Sequence, residues 1–312
     1  MLKEEMRSVG FVGLGNMGWP MAARLVAAGY QLTVLDSDRT KVDDFTRDVG
    51  GSGADGPMNL AAGCDAVITM LPNSQIVKSV LEGPGGLMQG LKKGAVLIEM
   101  SSGAPDVTVE LTESLKNSGV HLADAPVSGG VAKAVTGELS IMLGSTDEVA
   151  ERITPVLRAV GSNILRTGPV GSAHAMKALN NLMSAGGFLI GIEALLIGKQ
   201  FGLDPSVMVD ILNASTGMNN STQRKFKQFV LSGQFNSGFG LDLMVKDISI
   251  ALELGKRVGA NTPFASLCRE LCASASAVLG AGKDHTALAQ FSEKLAGVSL
   301  AANVDKPPVS AA

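Results

Sequence analysis

The sequence predicts a two-part α/β protein. A mostly parallel sheet, covered by helices on both faces, is followed by an all-helical domain, and one long helix joins the two. Three observations carry this expectation. From Ser8 to about Leu165, short β-rich runs alternate with amphipathic helical stretches, the pattern of a parallel sheet with crossover helices. Glycines fall where strands turn into helices, at Gly13, Gly15, Gly18, Gly129 and Gly130. After Leu165 the strand signals fade, and helix-compatible segments richer in Ala, Leu and Met take over.

The strand-like runs are VGFVGL (9–14), QLTVLD (31–36), AVITML (66–71), AVLIEM (95–100), VHLADA (120–125) and LSIMLG (139–144). The later helical segments span 174–201, 205–215, 219–232, 240–259, 263–281 and 284–296. Pro205 and Pro263 sit where first helical turns begin, with Asp204 and Thr262 before them as N-caps. The expected domains are therefore 1–168 and 169–300, with 301–312 as a flexible tail.

Composition narrows the function classes. The 312 residues suit two domains of about 150 residues each. Glycine makes up 38/312, about 12%, against a usual ~7%, without a collagen period. A net charge of −3 gives no basic excess for nucleic acid. The start, MLKEEMRSVGFVGLG, has too short an apolar run for a signal peptide. The apolar stretch Leu179–Ile197 approaches membrane-spanning length. Asn180, Asn181 and Glu193 lie in it, so it reads as a buried helix rather than a membrane span. Cys64, Cys268 and Cys272 form no disulfide or metal framework. A cytoplasmic protein without a metal is expected.

Gly13-x-Gly15-x-x-Gly18 follows the first strand and opens a helix. That is the setting in which such glycines cradle a pyrophosphate. The first permits the tight turn, the second admits the phosphate, and the third lets helix pack on strand. Leu14, Asn16 and Met17 complete this loop. The second strand ends at Asp36, about 20 residues on, where a carboxylate accepts hydrogen bonds from the adenosine ribose and repels a 2′-phosphate. A Rossmann domain preferring NAD, with NADP possible, is expected.

Four segments together resemble the β-hydroxyacid dehydrogenase family of 3-hydroxyisobutyrate dehydrogenase, tartronate semialdehyde reductase and relatives. They are GLGNMGWPMA (13–22), DAPVSGGVAKAVTGELSIMLG (124–144), GSAHAMKALNN (171–181) and LMVKDISIALE (243–253). The resemblance covers residues 8–296. It implies a helical domain of the 6-phosphogluconate dehydrogenase type, an active site in the cleft between domains, and a homodimer or homotetramer. It puts the catalytic lysine on Lys177 and its companion asparagine on Asn181. Their i, i+4 spacing independently places both on one helical face. A lysine with a pKa lowered by partial desolvation can remove or return the hydroxyl proton that accompanies hydride transfer. The family's G-x-G before the lysine is here Gly171-Ser-Ala173.

The resemblance further places the substrate carboxylate on Ser128, Gly129 and Gly130, and Lys246 near the nicotinamide or that carboxylate. It sets Leu71 and Pro72 beside the nicotinamide-side ribose, and Ser101 and Ser102 against the nicotinamide or ribose. Backbone amides at a Ser-Gly-Gly turn can form an anion nest, and strand carboxyl ends are where such folds hold ligands. The expected reaction interconverts a small β-hydroxy acid and its semialdehyde or ketone. MLPNS, EMSS and DHTALAQFSEKLA lean toward the tartronate semialdehyde (2-hydroxy-3-oxopropionate) reductase branch, and residues 215–222 are expected to line the far side of the pocket. Two alternatives share the scaffold: an imine reductase, against which Lys177 argues, and a non-catalytic cofactor-binding module, against which Lys177, Asn181 and the Ser-Gly-Gly turn argue. His174 reads as solvent-facing or capping, His121 and His285 as lacking partner sets, and Trp19 as helix packing.

Overall fold

The computed structural model describes residues 6–301, so the expected tail at 301–312 lies, but for Ala301, outside the described residues. The chain divides after Lys177 into two compact units. The first runs β1 (Ser8–Val12), α1 (Gly18–Ala27), β2 (Gln31–Leu35), α2 (Arg39–Asp48), β3 (Ser52–Gly53), α3 (Pro57–Ala61), β4 (Ala66–Thr69), α4 (Ser74–Glu82) and α5 (Leu87–Gly90). It continues through β5 (Val96–Glu99), α6 (Pro105–Lys116), β6 (His121–Asp124), β7 (Val127–Ser128), α7 (Gly130–Thr136), β8 (Leu139–Gly144), α8 (Asp147–Val160) and β9 (Gly161–Gly168).

The sheet order is β3-β2-β1-β4-β5-β6-β8-β7, with β9 on β8. From β3 to β6 every pairing is parallel. β8 runs antiparallel to β6 and β7, and β9 parallel to β8. The strands are apolar almost throughout because both faces are covered. Side chains alternate between two cores. Phe11, Ile68 and Ile98 pack with Met21 and Leu25 on one face, and Val12, Val67 and Leu97 with Leu81 and Leu111 on the other. Trp19 packs edge-on against Phe45 of α2.

All six expected strands form. Strand structure does not end at Leu165, however: β9 runs to Gly168. Half of its eight residues are exposed and only one is buried, so it lacks the apolar signature of an inner strand. β3 and β7 have two residues each, too few to show a period.

α9 (Ser172–Phe201) is 30 residues long, or about 45 Å at 1.5 Å per residue. It leads into the second unit, which holds α10 (Pro205–Asn213), α11 (Asn220–Arg224), a π-helical segment (Phe226–Leu231), α12 (Leu241–Arg257), α13 (Pro263–Leu279), a 3₁₀ turn (His285–Ala287) and α14 (Leu288–Ala296). By length and composition α9 passes for a membrane span, yet 56% of its most apolar window is buried. Phe188, Ile192 and Leu195 of α9 pack with Phe226, Val230, Ile248 and Cys272 in the core of this unit. Cys272 is buried there, and its thiol is pushed up to about 12 by desolvation.

Pro205 and Pro263 open their helices, and the Asp204 side chain accepts from the Val207 amide as expected. Thr262 does not cap α13 through its side chain: the side chain lies against Gly255, methyl nearest, and its carbonyl takes the Ser266 amide. Asn219, within the stretch expected to line a pocket, N-caps α11 in a reciprocal capping box with Thr222.

Candidate active site

The glycine loop is built by steric need. Gly13 has φ +104°, and a Cβ there would meet the Met70 carbonyl at 2.3 Å, so the loop lies tight against the end of β4. A Cβ on Gly18 would sit 1.8 Å from the Gly13 carbonyl, which leaves no room between helix start and turn. Around Gly15 there is open space for a Cβ's width and more. Gly15 and Asn16 are exposed, and Met17 is half-buried. This shape fits a pyrophosphate approaching the start of α1. Gly18→Ala must push the loop off α1. We expect it to weaken NAD binding by about tenfold or more, measured by fluorescence titration. An affinity within twofold of wild type would contradict this geometry.

Asp36 is tied to the same loop. One carboxylate oxygen accepts the Leu14 amide at 2.6 Å, and the other accepts the Asp38 amide at 2.9 Å. The Leu14 amide is thus already taken. Arg39, the nearby cation that would suit a 2′-phosphate, binds Asp43, Asp55 and the Ala54 carbonyl instead.

Leu71 and Pro72 follow β4, the first half-buried and the second exposed, and the Leu71 side chain reaches the Gly13 turn. Ser101 is 1% exposed. Its hydroxyl accepts the Leu71 amide at 2.9 Å and so joins the ends of β4 and β5. Ser102, half-buried, faces more to the surface.

Lys177 is 9% exposed, and its ammonium donates to the Val127 carbonyl at 2.8 Å. Val127 immediately precedes Ser128, Gly129 and Gly130, so the lysine lies against the Ser-Gly-Gly turn. Gly129 and Gly130 have φ +135° and +70°, which explains glycine at both. Ser128 is half-buried, and Gly129 and Gly130 are exposed. Ala173, standing where the family has glycine, lies in the first turn of α9 and is fully buried, so its Cβ fits the packing.

Asn181 lies one turn beyond Lys177 on α9. Its amide donates to Asp247 Oδ2 at 2.5 Å, and Lys246 Nζ is 2.9 Å from Asp247 Oδ1. Asp247 is 1% exposed and was not anticipated.

His174 corrects the sequence expectation. It is buried, not solvent-facing. Its Nε2 is 2.8 Å from Glu99 Oε2 and 3.0 Å from the Ser101 carbonyl, and its Nδ1 is 2.7 Å from Thr108 Oγ1. The Thr108 hydroxyl donates to the Ala104 carbonyl, leaving its lone pair for an N–H of the ring. Both ring nitrogens then donate, as in an imidazolium. Burial opposes that charge, and the Glu99 carboxylate outweighs it, holding His174 above its ordinary value. The cap of α9 comes from Asp124, which accepts the Gly171 and His174 amides at 2.8 and 2.9 Å. Desolvation pushes the Asp124 carboxyl up. Sequence reasoning missed this cluster, but a signal existed. Glu99 and Asp124 end neighbouring parallel strands in register, and two buried carboxylates there demand a cation.

His285 likewise has partners. Its Nδ1 lies 3.1 Å from both Ser237 Oγ and the Phe239 carbonyl. Burial lowers it to about 4, so it is neutral. Among the described residues no cluster of three His, Cys, Asp or Glu is placed to hold a metal.

The comparisons agree with this architecture. Residues 8–168 match the NAD-binding domain of 6-phosphogluconate dehydrogenase. Residues 171–292 match the NAD-binding domain of NADP-dependent 3-hydroxyisobutyrate dehydrogenase. The chain is 34% identical over 297 residues to 2-(hydroxymethyl)glutarate dehydrogenase of Eubacterium barkeri, covering 95% of this chain and 98% of that one. It is 37% identical over 273 residues to 3-hydroxyisobutyrate dehydrogenase of Pseudomonas aeruginosa, covering 85% and 91%. The structure of Mycobacterium tuberculosis 3-hydroxyisobutyrate dehydrogenase with L-serine superimposes with a TM-score of 0.85 at 27% identity, over 92% of this chain and 99% of that one. An imine reductase from Myxococcus stipitatus shares the fold alone, at 16% identity and a TM-score of 0.63. Glycine loop, buried lysine and two matched domains together place this chain in the β-hydroxyacid dehydrogenase family of nicotinamide-dependent oxidoreductases.

Proposed function

We propose that the protein is an NAD-preferring dehydrogenase of small β-hydroxy acids, with Lys177 as general acid/base. The observation that carries this is the buried Lys177 ammonium on the Val127 carbonyl, next to Ser128-Gly129-Gly130. The turn would offer backbone amides to a carboxylate, and the lysine beside it would reach the neighbouring hydroxyl. A bound nicotinamide would supply the acceptor for the hydride that leaves the carbinol carbon. In its neutral amine form Lys177 takes the hydroxyl proton as the C–O bond becomes a carbonyl, becoming the ammonium, and as the ammonium it returns that proton in the reverse direction. Asn181, fixed by Asp247, orients the substrate oxygen. Lys246 lies beside this pair, and its charge favours an acidic substrate.

The amides of Gly15, Asn16 and Met17 would hold the pyrophosphate, and Leu71, Pro72 and Ser102 the nicotinamide side. Ser101 acts through the Leu71 amide that its hydroxyl holds. Asp36 supports NAD over NADP, as does the pairing of Arg39 with Asp43 and Asp55. Asp36→Ala is expected to narrow the kcat/KM preference for NAD by about tenfold, read with both cofactors. A wild-type enzyme that works better with NADP would overturn the cofactor assignment.

Met183, Ile190, Ile197 and Phe201 leave an exposed apolar stripe along α9. It supports a homo-oligomer, a dimer or tetramer. The test of the whole proposal is a panel of small hydroxy acids and semialdehydes assayed with NAD and NADP. Turnover of a β-hydroxy acid is expected, and turnover of imines alone would overturn it.

A further inference from the structure

Ser184 lies three residues beyond Asn181 and seven beyond Lys177, on the same face of α9. Lys225 reaches it from another element, its Nζ donating to Ser184 Oγ at 2.9 Å and lying 5.5 Å over the Phe188 ring. These contacts leave the ammonium poorly served. Lys225 is half-buried; a hydroxyl and a ring are weak partners for a partly desolvated cation, and such a charge is costly when underpaired. Burial accordingly lowers Lys225 to about 8.

The nearest acidic influence is Asp284, which is engaged elsewhere. Its carboxylate accepts from Ser237 Oγ, from the Gly238 and Phe239 amides, and from the Thr286 amide and hydroxyl. Neighbouring His285 is neutral. Lys246 differs, because Asp247 stands 2.9 Å from it. The backbone also departs from regularity at Lys225. The residue has φ −126° and ψ −48°, between α11 and the π-helical segment. Such segments re-aim side chains and recur at functional sites.

We infer that Lys225 forms a second anion subsite, so that the preferred substrates are β-hydroxy acids carrying another acidic group, carboxylate or sulfonate, beyond the reacting carbon. This rests on the proposed dehydrogenase activity and names its substrate class. Residues at i and i+3 of a helix are about 5–6 Å apart at Cβ. An acidic group two to three bonds, roughly, beyond a carbon held near Asn181 therefore arrives at Ser184 and Lys225.

Kinetics with three compounds test this: 3-hydroxyisobutyrate, the same acid extended by a terminal carboxymethyl group, and the same acid extended by a terminal sulfomethyl group. For the wild type, kcat/KM is expected to be at least about tenfold higher for one or both extended acids, the size of one charge-assisted contact. Which of the two wins identifies the second group. Lys225→Met should lower kcat/KM for the preferred extended acid about 30-fold, mostly through KM, and for the short acid less than about threefold. Lys225→Arg should keep the preference.

A second readout separates function from structure. Lys225→Met is expected to raise the melting temperature at pH 7, because it removes a charge that the folded state disfavours. The gain should shrink as pH rises from about 8 toward the ordinary lysine value of 10.5. Equal loss on short and extended acids, or a wild-type preference for the short acid, overturns the inference and leaves the dehydrogenase proposal standing. Failure of all three acids with both cofactors, in a panel where no other β-hydroxy acid turns over, overturns the parent proposal and this one with it.

Discussion

Lys177→Ala is expected to lower kcat by about a thousandfold, within the range for loss of a positioned general acid/base, while NAD affinity stays within about twofold. The separation follows from placement. The glycine loop that would hold the pyrophosphate lies at β1 and α1, whereas Lys177 lies against Val127 and the Ser-Gly-Gly turn. Truncation removes an ammonium and leaves the turn's amides in place, so KM should rise far less than kcat falls. Steady-state kinetics alongside a fluorescence titration of NAD provide the check. A kcat within threefold of wild type would remove Lys177 from the chemistry.

The second large effect is on stability. His174→Leu leaves Glu99 and Asp124 buried without their shared cation. Removing one partner from such a buried pair costs about 3–5 kcal/mol. For a domain of this size that is a fall of roughly 6–20 °C in melting temperature. The double variant His174→Leu/Glu99→Leu should recover part of it, because the stranded carboxylate goes too.

The sign of the pH dependence follows from the two shifts. His174 is held above the ordinary histidine value of 6.5. The stability it contributes is therefore full below that value and lost as pH rises through its raised value. Asp124, raised by burial, acts in the same direction from its ordinary 3.8 upward. The wild type should thus lose stability on the alkaline side of pH 6.5, and His174→Leu should lose less over that range. A flat difference between the two across pH 6–9 would show that His174 carries no charge in the folded state.

The cluster around His174 also explains how the start of α9, which carries Lys177, is aimed. Asp124 takes the Gly171 and His174 amides, and Lys177 follows one turn later. The buried cluster thereby ties the ends of β5 and β6 to the start of α9. Gly144, where a Cβ would come within 2.3 Å of Asp124 Oδ1, leaves that carboxylate its space.

What was legible in the sequence and what was not divides along physical lines. The glycine loop and the Ser-Gly-Gly turn stood out in the sequence because backbone chemistry confines residue choice there: a positive φ at Gly13 and at Gly129 admits little else. Asp36 stood out by its distance along the chain from that loop, and Lys177 by the family resemblance and its i, i+4 spacing to Asn181. The inner strands were legible from continuous apolar runs. The edge strand β9 was not, because an exposed strand is not apolar. His174 misled because its partners, Glu99, Thr108 and Asp124, are distant in sequence and meet only through the sheet register and the packing of α6. Asp247 and Lys225 were missed for a similar reason. Asp247 meets Asn181 only where α12 comes beside α9, and Lys225 was one cation among many until α9 brought Ser184 to it. Thr262 shows the limit of cap rules: a cap-forming residue type stood at the right place, and its side chain packed on Gly255 instead.

Transfer of deuterium tests the central claim most directly. The wild-type enzyme would be given NAD and a β-hydroxy acid labelled with deuterium on the carbinol carbon, and the reduced cofactor examined by NMR. Hydride transfer with Lys177 taking only the hydroxyl proton predicts that the label appears at C4 of the nicotinamide ring, with none in solvent. Label released to water, or no reduced cofactor from any acid in the panel, would contradict it.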